Sequence, residues 1–81
     1  MSTSLDFILD KCDTHERHAR LRELRALVMV YCGLDHIAKG ILDRAIISGD
    51  DKDCKNALRA IDRLPALTRR RVLASFGALW K

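Results

Sequence analysis

Cys12, His15 and His18 stand at C-x2-H-x2-H spacing, and Cys32 with His36 makes an i, i+4 pair, so thiolate and imidazole donors for zinc come first. A closed zinc site takes four such donors, whereas residues at i, i+3 and i+6 drift around a helix and do not converge. A helix restart between Cys12 and His15 separates the donors further. The reading is a buried cysteine beside two exposed histidines, with no metal and no cofactor. Cys32 and His36 could instead form a thiolate–imidazole pair for nucleophilic catalysis, but that chemistry needs a water-excluding cleft that small bundles rarely hold. Asp50, Asp51 and Asp53 offer oxygen donors without the glycine turn or distal glutamate of a calcium loop, and acidic charge at a helix start accounts for them. The chain has no nucleophile beside a base, no carboxylate pair in apolar surroundings and no glycine-rich phosphate loop after a strand. No catalytic residue is assigned, and the chain is read as non-enzymatic.

Arginine is the remaining chemistry. Arg17, Arg20, Arg22 and Arg25 crowd one predicted helix, and Arg69, Arg70 and Arg71 stand together near the start of another. A helix N-terminus already carries partial positive charge, so arginines there are unfavourable for stability and, with free backbone N–H groups, attract a phosphate or carboxylate. Pairing of this cluster with Asp62 across Pro65 is the structural alternative. The net charge is +4. A helix-turn-helix tested on Val28 to Leu42 finds its turn glycine in Gly33, but Lys39 stands where the pattern wants Val or Ile. Single-strand binding needs aromatic platforms, and the aromatics Phe7, Tyr31, Phe76 and Trp80 all lie on apolar stripes. The first three are assigned to the core and Trp80 to anchoring a partner. Ala60 to Pro65 with Arg70, Arg71 and Val72 resembles the segment leading into the promoter-binding region of bacterial sigma factors. The stretch is short, and no residue role is carried over from it.

The elements that position these groups follow from periodicity. Leu24, Leu27, Val28, Tyr31, Leu34, Ala38, Ile41, Leu42 and Ala45 recur at helical spacing, and the apolar phase persists across Gly33 and Gly40. This predicts one long central helix from about Thr14 to Ser48, continuous or broken near Gly33, with Asp35 capping the second half if it breaks. Asp13 followed by Glu16 starts it, and Glu16 pairs with Arg20. Ser4 caps an earlier helix carrying Leu5, Ile8, Leu9 and Cys12. Ser48 to Asp51 ends the long element and starts a helix with Cys54, Ala57, Leu58, Ile61 and Leu64 on one face. The last helix starts at Pro65 or with Thr68 as its cap, and carries Val72, Leu73, Phe76, Leu79 and Trp80. The expected fold is all-α, a compact bundle of four to five helices forming a single domain over residues 1–81.

A chain of 81 residues, 48% apolar and 32% charged, builds a small core, and its longest apolar run, Ala26 to Cys32, falls far short of a membrane span. No secretory signal is read at the N-terminus, and an odd number of scattered cysteines suits reduced core residues, so the expected location is cytoplasmic. Residues 26 to 32 are apolar all round, and Ile46 and Ile47 add a second apolar face. Something must cover this surplus, either a protein partner or a second copy in a homodimer. The leading expectation is a small non-enzymatic protein acting by stoichiometric binding to a protein partner as a regulator, adaptor or inhibitor, a size and plainness that suit a viral or mobile-element protein. The alternative is a nucleic-acid-binding module contacting backbone phosphates through the two arginine groups.

Overall fold

Asp13 opens the first described helix: its backbone is extended (φ −76°, ψ 179°), and its carboxylate accepts the Glu16 N–H at 2.8 Å. The computed structural model describes residues 8, 9 and 12–79, with side chains through residue 77. From this cap runs α1 (Thr14–Cys32), followed by α2 (Ile37–Ser48), α3 (Asp51–Asp62) and α4 (Ala66–Leu79). The described residues thus form an all-α bundle of four helices, 29 × 26 × 24 Å across. Ser4 and Leu5 of the expected first helix lie outside the described residues. No fifth helix is found among those described, although Ile8 is buried in the core.

The long central helix is corrected to two helices. Gly33 takes φ 97° and ψ 165°, a region open in practice only to glycine, and the chain leaves helical geometry until Ile37. The restart is capped by His36, not Asp35: its backbone is extended, and Nδ1 accepts the Ala38 N–H at 3.1 Å. Leu34, expected within the apolar stripe, falls in the turn and is 64% exposed. Gly40 has no atom within 4 Å of where a Cβ would stand, so no neighbouring helix approaches there.

The α2–α3 turn is built from small polar groups. Gly49 is left-handed (φ 68°, ψ 5°), and its N–H closes α2 on the Ala45 carbonyl at 2.9 Å. Ser48 Oγ accepts the Asp50 N–H at 3.1 Å and donates to Asp53 Oδ2 at 2.6 Å, while the Asp50 side chain makes no cap bond. Asp51 and Asp53 lie in the first turn of α3, where carboxylates complement the helix dipole. Pro65 lies just outside α4, which begins at Ala66; its carbonyl accepts the Arg69 N–H at 2.9 Å. Thr68 is inside the first turn and does not cap it.

Helix α1 packs chiefly on α2 and α4, and α2 packs on α3 as well. The core joins Leu21, Leu24 and Val28 of α1 to Leu42, Leu58, Ile61, Val72 and Phe76 of the other three helices. Cys54 is buried in the same core, as its apolar neighbours imply. The Tyr31 hydroxyl and Ser75 Oγ share a hydrogen bond at 3.0 Å that ties the end of α1 to α4.

Candidate functional site

Most of the first arginine group is turned to internal use. Arg17 Nη1 reaches Asp51 Oδ1 at 3.2 Å, tying α1 to the start of α3. Arg20 donates to the Ile8 carbonyl at 2.6 Å and lies 3.8 Å from Glu16, the expected i, i+4 partner. Arg25 pairs with Asp43 of α2 at 3.0 Å. Arg22 is exposed and has no ion pair among the described residues.

The second group divides in the same way. Arg69 Nη1 lies 3.1 Å from the Asp62 carbonyl and 3.3 Å from its carboxylate, the pairing across Pro65 that the sequence offered as the structural alternative. Arg70 and Arg71 are exposed and unpaired among the described residues. All three sit past the first turn of α4, and the Arg69 N–H is already bonded, so they do not share the free N–H groups at the helix start. The anchors of Arg17 and Arg69 are the first and last residues of α3, about 16 Å apart along the helix. The two groups are therefore held at opposite ends of α3 at these two residues. Trp80 lies outside the described residues.

Asp43 joins two cations, Lys39 Nζ at 2.8 Å and Arg25 Nη1 at 3.0 Å. The hydrogen bond from Lys39, reinforced by Arg25 against the effect of partial burial, holds the Asp43 carboxyl below the ordinary aspartate value. A depressed folded-state value means the stabilisation is present above the unfolded aspartate pKa of about 4 and is lost as pH falls through the lower folded value. Urea unfolding of Asp43→Asn is expected to show a smaller loss of midpoint between pH 5 and 3 than wild type, a difference of about 1 kcal/mol or less. Parallel acid limbs for the two proteins would remove this role from Asp43.

The thiol and imidazole groups do not form the reactive arrangements considered from spacing. Desolvation pushes the Cys32 thiol above its ordinary value, opposite to an activated thiolate, and the His36 Nδ1 is occupied as the α2 cap. Cys54 is pushed up chiefly by burial. Cys12 Sγ contacts the Leu9 carbonyl at 2.9 Å, and the helix restarts at Thr14 between it and His15. Among the described residues, no three His, Cys, Asp or Glu side chains gather where they could hold a metal ion.

The feature that most resembles a binding surface is apolar. Around the Gly33 turn, Val30 is 74% exposed and Ile37 76%, with Leu34 between them and Tyr31 half-exposed alongside. These residues span the last turn of α1 and the first residue of α2, so the break at Gly33 places them on one corner of the bundle. The expectation of core for Tyr31 and Leu34 is corrected: Leu34 leaves helical phase in the turn, while Tyr31, still within α1, is 40% exposed with its hydroxyl bonded to Ser75. Ile47, at the other end of α2, is also exposed, as the second apolar face implied. None of the described helices is long and apolar enough to cross a membrane. Comparison with protein-family models, curated proteins and solved structures finds no match.

Proposed function

We propose that this protein is a small binding module that acts stoichiometrically on a protein partner, as a regulator, adaptor or inhibitor, through the corner formed by Val30, Leu34 and Ile37. The observation that supports this reading most is the exposure of three large aliphatic side chains around one turn, where folding alone would favour polar residues. Tyr31 adds an aromatic body whose hydroxyl is already held by Ser75, so it would lose little freedom on contact. Lys39, Asp43 and Arg44 lie nearby in α2 and supply a polar rim around such a contact. A second copy of the chain is one form the protein partner can take.

The test compares wild type with the triple variant Val30→Ser, Leu34→Ser, Ile37→Ser in crosslinked affinity capture and in sedimentation velocity. The substituted side chains are exposed, so the variant is expected to fold with nearly unchanged stability. The expected result is a stoichiometric protein partner, or a self-associated species, that the variant loses by about tenfold or more. Equal capture and equal sedimentation by both proteins would overturn the reading.

The exposed and unpaired Arg22, Arg70 and Arg71 favour the second reading, a nucleic-acid-binding module contacting backbone phosphates. It predicts affinity for single- or double-stranded DNA or RNA that falls steeply between about 50 and 200 mM salt in fluorescence anisotropy.

A further inference from the structure

Helices α2 and α3 run back on each other through the Gly49 turn, and between them lies a cleft of about 250 Å³. Arg44 of α2 lines it together with Arg59 at the end of α3 and Arg63 just beyond. The remaining lining is Ile41 and Ala60, which pack against the core, with Asn56 and Asp53. None of the three guanidinium groups has an ion pair among the described residues. The nearby carboxylate, Asp53, is instead engaged by Ser48 Oγ at 2.6 Å.

Arginine at the end of α3 is explained in part by the helix dipole, which favours cations there. That explanation does not extend to Arg44, which comes from the other helix and faces the same cleft. Three cations around one carboxylate, Asp53, leave the cleft with excess positive charge, and an oxyanion among them relieves their repulsion while accepting several charge-assisted hydrogen bonds. Guanidinium forks match the tetrahedral oxygens of phosphate, and Asn56 adds an amide donor.

We propose that the α2–α3 cleft is a phosphate-monoester site, in which Arg44, Arg59 and Arg63 hold one dianionic phosphate group. Convergence from two helices onto a single bounded cleft suits one doubly charged group better than a run of singly charged phosphodiesters. The site shares Arg44 with the rim of the apolar corner proposed for the protein partner, but it takes a different ligand and does not depend on that reading.

The test follows the arginine side-chain N–H resonances of the intact protein while inorganic phosphate is added against sodium chloride at matched ionic strength. Saturable shifts are expected at Arg44, Arg59 and Arg63, with Arg22 and Arg70 unmoved. Arg44→Gln, an exposed position, is expected to weaken the affinity by about tenfold with its circular dichroism unchanged. O-phosphoserine reproducing the shifts would identify a phosphorylated side chain as an acceptable source, and inorganic phosphate alone a free ion. Shifts of equal size at every arginine, or no saturation, would overturn the site. Tighter binding by an oligonucleotide lacking a terminal phosphate would also overturn it, in favour of a nucleic-acid interface.

Discussion

Leu24→Ala is expected to destabilise the protein by about 2–5 kcal/mol, enough to unfold much of the population of a chain whose total stability, at this length, is about 4–12 kcal/mol. Leu24 has no exposed surface and belongs to α1, which packs against both α2 and α4. A cavity opened there has walls on separate helices, each held by further buried side chains, so the site cannot collapse around the lost atoms. Ile47→Ala removes a comparable side chain at 85% exposure and is expected to change stability by no more than about 0.5 kcal/mol. Urea unfolding followed by circular dichroism reads both. Similar midpoints for the two variants would show that the packing around α1 is not the centre of the fold.

Gly33→Ala is expected to cost about 1–3 kcal/mol, and Gly33→Asn as much, because φ 97° with ψ 165° is closed to any residue with a Cβ. The cause is the backbone alone, since no atom stands within 4 Å of the added Cβ position. Gly49 provides the internal comparison. It too is surrounded by open space, but its φ 68° and ψ 5° lie in the left-handed region that asparagine tolerates. Gly49→Ala is therefore expected to cost about 1 kcal/mol, and Gly49→Asn clearly less. Thermal unfolding of the four variants gives the contrast: asparagine rescues at 49 and not at 33. Rescue at both positions, or at neither, would show that the two turns do not differ as described.

Local signals were read where they depend on near neighbours. Asp13 with Glu16, the Gly49 stop and the buried stripe from Cys54 to Leu64 all follow from spacing within a few residues. The break at Gly33 was less legible because the apolar phase of α1 resumes in α2 after four residues, so a bent helix and two separate ones write the same stripe. His36 as a cap gave little warning, since histidine is outside the residue types preferred there. The arginines show a different limit. Arg17 and Arg22 are close in sequence but about 140° apart around a helix, and one meets Asp51 while the other faces solvent. Asp51 and Asp43, the partners of Arg17 and Arg25, lie 34 and 18 residues away, beyond what local spacing reveals. The Arg44, Arg59 and Arg63 cleft needed the α2–α3 hairpin register, although Arg59 and Arg63 at i, i+4 were a readable half of it.

The three main packing contacts, α1 with α2, α2 with α3 and α1 with α4, also bear on how the chain assembles. Two of its packed pairs, α1 with α2 and α2 with α3, join helices that follow each other along the chain, and each forms by closing a short loop. Docking α4 onto α1 is the exception: the Tyr31 and Ser75 hydroxyls that meet across it are 44 residues apart. Helices α3 and α4 are consecutive yet pack mainly on α2 and α1 respectively, so the α1–α4 closure spans the longest stretch of chain and is entropically the most expensive of the three. A nascent chain can thus bury α1, α2 and α3 against one another while the α1 face destined for Val72 and Phe76 waits uncovered until α4 arrives.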